Sequence, residues 1–177
     1  MSLARGIFAW LLTLTVSASY GAPPKSDPAP FTAKEGRFSI SFPSKPETAT
    51  SMVKTVGGDV EVHRFSVVGK NNEISYLVQY NDVPPNMLRD DGPDKILDRC
   101  RDSGVAAIHG KLAKELNSTL EGNPGRALEV EGAGFKVVYR IYLVKNRLYQ
   151  LIVFWDGSKP LADRAGPFFD SFKLIKE

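Results

Sequence analysis

The chain has 177 residues, 42% of them apolar and 24% charged, with a formal net charge of +3. These proportions exclude a chain disordered throughout, and they fit one globular domain with a sizeable core. Lys and Arg alternate with Asp and Glu along the whole sequence, so nothing forms the clustered cationic footprint that a nucleic-acid partner needs.

The N-terminus reads as an export address. Arg5 supplies a short positive segment. Ile7 to Val16 then runs without a charge, and the small residues Ser17, Ala18, Ser19, Gly21 and Ala22 follow. This is the order of a secretory signal peptide, with cleavage after Ser19, Gly21 or Ala22. The alternative is an uncleaved anchor or a buried helix. The apolar run is shorter than the ~18–20 residues that cross a ~30 Å hydrocarbon core, so no stable membrane span is expected once the signal is removed. Removing residues 1–22 leaves 22 basic against 20 acidic residues, a net charge of +2. Four prolines among Pro23 to Pro30 then preclude a helix or a central strand and read as an extended tether. The expected organisation is a signal peptide over 1–22, a proline-rich linker over 23–34 and a single domain over 35–177. The expected location is secreted or periplasmic.

From Phe38 the sequence takes a period of two, Phe38, Ile40 and Phe42 alternating with serines, as in a half-buried strand. Ser51–Val56 and Val60–Val68 read as a hairpin turning at Gly57-Gly58-Asp59. Glu73–Val83 is a further strand, ended by Pro84-Pro85. One strong helix is predicted to start at Asp91 or Gly92, with Pro93 in its first turn, and to stop near Gly110. Its apolar stripe is Ile96, Leu97, Cys100, Ala107 and Ile108. Gly104 inside it counts against a straight helix. Leu112–Leu120 and Arg126–Val130 then read as strands around a turn at Gly122 to Gly125. Lys159–Phe169 reads as a short helix, after which Phe168, Phe169, Phe172 and Leu174 dock the C-terminus.

The hairpin of Phe135–Val144 and Leu148–Trp155 carries the most information. A two-residue loop, at Lys145-Asn146 or at Asn146-Arg147, puts odd residues of the first strand on one face with even residues of the second. One face is then Val137, Tyr139, Ile141, Leu143, Leu148 and Ile152 with their neighbours, nearly all apolar and suited to the core. Gln150 is its exception and needs hydrogen-bond partners there. The opposite face carries Arg140, Tyr142, Arg147, Tyr149 and Trp155. Aromatic and Arg side chains dominate interface energetics, so these five residues are the candidate partner surface. The competing reading is that a second layer covers them. Because hairpins rather than helices join consecutive strands, the sheet is expected to be mainly antiparallel, and the class α+β.

Several stretches carry a family likeness: RFSISFPSKP at Arg37–Pro46, GNPGRALEV at Gly122–Val130, RIYLVKNRLYQLIV at Arg140–Val153 and FFDSFKLI at Phe168–Ile175. Together they resemble the PsbP-like superfamily, which includes the Ran-binding Mog proteins and many exported bacterial proteins. The resemblance covers about residues 35–177. It implies a central, mainly antiparallel sheet flanked by helices, an α/β/α sandwich. It also implies a binding or assembly role rather than catalysis. The matching segments are strands, turns and docking aromatics, so no functional residue is carried over.

A search for reactive chemistry finds little. Cys100 is the single cysteine, so no intramolecular disulfide is possible; it reads as a small core hydrophobe, the alternative being a reactive thiol. His63 and His109 are far apart in sequence and lack the spacing of metal ligands. Asp90, Asp91 and Asp94 lack a calcium loop's spacing and suit helix capping. The expectation is a non-enzymatic domain without a cofactor, acting on an envelope protein. The alternative is a small-ligand or metal-ion binding module.

Overall fold

The computed structural model describes residues 30–69, 73–132, 134–156 and 162–176. The proposed signal peptide and most of the proline-rich linker lie outside the described residues.

Seven strands form one antiparallel sheet in the order β3-β4-β5-β9-β8-β7-β6. Its strands are β3 (Glu47–Thr55), β4 (Gly58–Val68), β5 (Ile74–Asp82), β6 (Lys111–Leu120), β7 (Asn123–Gly132), β8 (Phe135–Val144) and β9 (Arg147–Trp155). Two meanders, β3 to β5 and β6 to β9, meet where β5 pairs with β9. The helix α1 (Pro85–Ala107) crosses from the central β5 to the edge strand β6. A second antiparallel sheet combines β1 (Phe31–Ala33), β2 (Phe38–Ile40) and β10 (Lys173–Leu174), and α2 (Ala162–Asp170) precedes its last strand. The domain therefore begins by Phe31, inside the stretch expected to be linker, because Phe31 packs its ring against Phe38, Phe42 and Phe65.

Two cores flank the large sheet. Beneath α1, Ile96 and Leu97 pack with Val137, Tyr139, Ile141, Leu143, Leu148 and Ile152. This is the apolar hairpin face expected from alternation. On the opposite face, Phe38, Ile40, Phe42, Phe168 and Phe172 pack with Tyr142, Tyr149, Leu151 and Val153. The expected helix-flanked sandwich is thus matched in part. One face lies under a helix, while the other lies under the three-stranded sheet together with the short α2.

The turns follow backbone chemistry more closely than composition. Val144 pairs with Arg147, so the loop is Lys145-Asn146, and Lys145 rather than Asn146 takes the positive φ. Leu120 pairs with Asn123, so the loop is Glu121-Gly122, with φ of 48° and 82°. These successive left-handed residues make the turn that suits a twisted hairpin. Pro124 and Gly125, expected in a longer turn, are already in β7.

The helix begins earlier than expected. Pro84 precedes it and Pro85 opens it, while Gly92, at φ 70° and ψ 169°, breaks it into two segments. Pro93 starts the second, so the expected start at Gly92-Pro93 marks the kink. Gly104 has a packing reason: a Cβ there would lie 2.8 Å from Cε1 of Tyr139. Ala107 is exposed, and Val105 joins the stripe in its place. His109 at φ 49°, ahead of Gly110, turns the chain out of the helix.

Candidate partner-binding groove

The five residues of the candidate surface do not remain together. Tyr142 and Tyr149 face each other across β8 and β9 but keep only 5% and 2% exposure. The small sheet covers them: Tyr149 packs edge-on against Phe38 and Phe172, and its hydroxyl donates to the Gly36 carbonyl at 2.7 Å. Burial pushes the Tyr149 phenol above its ordinary pKa. Neither tyrosine can meet a partner without unfolding this layer, which corrects the expectation for both.

Arg147 is a clamp rather than a recognition residue. Its guanidinium donates to both carboxylate oxygens of Asp82, at 2.7 and 2.9 Å, and to the Glu35 carbonyl at 2.5 Å. It also lies 4.7 Å over the Tyr80 ring. It ties β5 and β9 to the β1–β2 turn, and its hydrogen bonds hold the Asp82 carboxyl below the usual carboxylate range.

Arg140 and Trp155 lie together at the other end of the same face, where the small sheet stops. They line a groove of about 460 Å³ between α2 and the strand ends. Arg140 sits 4.6 Å over the Phe169 ring and 3.5 Å from Asp170, both on α2. Lys136 sits 5.6 Å over the Trp155 ring and 3.4 Å from Glu131. Ala113 and Gly166 are small residues on opposite walls. Lys136 and Trp155 are register partners of β8 and β9, which fixes the first cation–ring pair. The second depends on α2 docking over β8. The groove presents part of the Trp155 ring, while Phe169, at 4% exposure, lies buried beneath Arg140; each ring has a cation above it and a carboxylate beside that cation. Among the described residues, none of its lining side chains is a His, Cys, Ser, Thr or Tyr.

Other polar clusters are satisfied within the fold. Cys100 Sγ lies 3.2 Å from the Tyr139 hydroxyl, which donates to Gln150 Oε1. That network supplies the partner Gln150 needed. Burial pushes the Cys100 thiol up to about 12, so it is no nucleophile at neutral pH. Asp91 pairs with Lys95 and Arg99, and Asp94 with Arg126 at 2.7 Å. Arg126, Glu115, Asp98 and Arg101 complete an ion network between α1 and strands β6 and β7. His63 stacks on Tyr80 at 4.6 Å and pairs with Glu61 at 2.9 Å. Among the described residues, no three His, Cys, Asp or Glu side chains gather as metal ligands would, and no helix is long and apolar enough to cross a membrane.

No family model and no curated protein matches the sequence. Solved structures do match. The solution structure of cyanobacterial PsbP, CyanoP, from Synechocystis superposes with a TM-score of 0.54 at 14% identity, over 82% of this chain and 91% of that one. The fold is PsbP-like. A Pseudomonas aeruginosa protein of unknown function matches at a TM-score of 0.45 and 12% identity, over 72% of this chain and 97% of that one. In this chain α2 packs over the end of the sheet, and so forms the groove. Alternation along β8 and β9 predicts the shared face of Arg140 and Trp155. The same alternation puts Lys136 on that face; Phe169 is legible as a docking aromatic, but only the docking of α2 brings it and Asp170 to this groove.

Proposed function

We propose that this chain is an exported, non-enzymatic binding or assembly domain that makes protein–protein contacts in the cell envelope, and that a partner side chain docks in the groove beneath α2. The observation that carries this reading is the half-buried Trp155 ring beside two cations, Lys136 over that ring and Arg140 held over the buried Phe169 ring. Aromatic rings give contact area at low entropic cost, and Arg and Trp are the usual energetic anchors of interfaces. The ion pairs of Lys136 and Arg140 are largely exposed and contribute little to stability. A partner carboxylate can therefore replace Glu131 or Asp170 at small cost. Export is supported by the charged, apolar and small-residue order of residues 1–22.

The test is affinity purification from the native envelope with wild type, R140A and W155A, each checked for folding by circular dichroism. The proposal requires that the same companion proteins be lost with both variants. Unchanged recovery would refute the groove as the contact. A small-ligand reading is favoured by the groove's volume, which lies within the ~300–1,000 Å³ of small-molecule sites. Thermal-shift screening separates the two, because a ligand specific to the native state raises the melting temperature without any protein partner.

A further inference from the structure

The two edges of the large sheet are unlike. The β6 edge is interrupted by a register shift between Leu112 and Lys114, carries exposed Lys111 and Lys114, and points Glu115 into the ion network with Arg101 and Arg126. A bulge, edge lysines and an inward charge are the devices that stop a strand edge from pairing with another chain. The β3 edge has no bulge and no inward charge, and its single lysine, Lys54, lies next to its last residue. Its nine residues pair with β4 without a shift, contain no proline and are all exposed. Met52 is 63% and Val53 42% exposed, and Val56 at the adjacent turn is 84% exposed. Held by one ladder and buried on neither face, such a ribbon has little to stabilise it alone.

We propose that β3 is the seam of a two-fold symmetric dimer, in which it pairs antiparallel with β3 of a second copy about Ser51. A two-fold axis normal to the sheet keeps each side chain on its own face, so residues of equal parity must oppose one another. Centring on Ser51 pairs all nine residues, Glu47 opposite Thr55, Thr48 opposite Lys54, Ala49 opposite Val53 and Thr50 opposite Met52. The strand's two charges each meet a threonine, and no like charges oppose. Val53, already beside Val60 of its own β4, gains the second copy's Ala49 on its other side. Centring on Thr50 instead would set Glu47 against Val53 and leave residues unpaired. The result is one continuous sheet of fourteen strands, seven from each copy. This face is remote from the groove, and the dimer does not depend on the function proposed above.

Sedimentation velocity over a concentration series tests the seam. Wild type is expected to reach the dimer mass. T50K/M52K places like charges opposite each other twice and is expected to weaken the dimer roughly tenfold or more. T50E/M52K places opposite charges there twice, sets its new lysine opposite Glu61 of its own β4, and is expected to restore the dimer, whereas in the Thr50-centred register its glutamates would repel. Hydrogen exchange on wild type gives a reading independent of any variant: β3 amides should gain protection as concentration rises. A monomer at every concentration, a T50K/M52K dimer of unchanged affinity, a T50E/M52K monomer, or β3 exchange independent of concentration would each overturn the proposal.

Discussion

The Cys100 thiol, the Tyr139 hydroxyl and the Gln150 amide form a polar island within an otherwise apolar layer. Burial keeps the thiol protonated, and its hydrogen bond to Tyr139 opposes that shift only in part. Native protein at neutral pH should therefore react slowly with a thiol reagent and react fully only in denaturant; rapid labelling of the native state would contradict the packing. The sign of the pH effect follows. The folded thiol ionises near pH 12 and the unfolded thiol near ~8.5. Between these values the unfolded state loses a proton that the native state keeps, so stability falls as pH rises through that window. Cys100→Ala should flatten this alkaline decline, which pH-dependent urea titrations can read. Asp82 acts with the opposite sense. Its folded pKa is depressed, so its contribution is present above the unfolded value of ~3.9 and is lost as pH falls through the folded value. Its carboxylate is half exposed, so the contribution is small. Asp82→Asn should lower the melting temperature slightly at pH 7 and leave it less dependent on pH in acid.

At the scale of elements, α1 is held by fit and by charge. Gly104→Ala gains helix propensity of about 1 kcal/mol but forces a Cβ into a tyrosine fixed by two hydrogen bonds, an overpacking cost of about 1–3 kcal/mol. The expected outcome is net destabilisation of about 1 kcal/mol in urea unfolding, and a gain in stability would show that Tyr139 yields freely. Arg126 is mostly buried among Asp94, Asp98 and Glu115. Arg126→Ala leaves Glu115 and Asp98 with Arg101 alone and should cost roughly 2 kcal/mol, less than for a fully buried pair because Asp94 is exposed. The same elements show what sequence can carry. Parity along β8 and β9 assigned both faces of that hairpin, since burial of one face imposes a strict period of two. Residues Glu47–Thr50 gave no strand signal because β3 buries neither face and so has no alternation to display. The first segment of α1 was hidden by a polar composition and by prolines that both end β5 and begin the helix.

For the whole molecule, the cover over Tyr142 and Tyr149 decides where a partner can bind. That cover joins residues 31–40 to residues 173–174, a pairing of distant segments that leaves no local trace. Alternation could therefore find the face but not the layer upon it. What stays accessible is the end of the face beyond the small sheet, where α2 and the strand ends enclose Arg140, Lys136 and Trp155, with Phe169 buried beneath Arg140. The most direct measurement is site-specific photocrosslinking in the native envelope. A photoreactive residue replaces Ala113 or Gly166 on the groove walls, and in the control replaces Ser103, exposed on α1 across the sheet. The account predicts a common adduct from both groove positions and none from Ser103. Adducts from Ser103 alone, or equal adducts from all three positions, would contradict it.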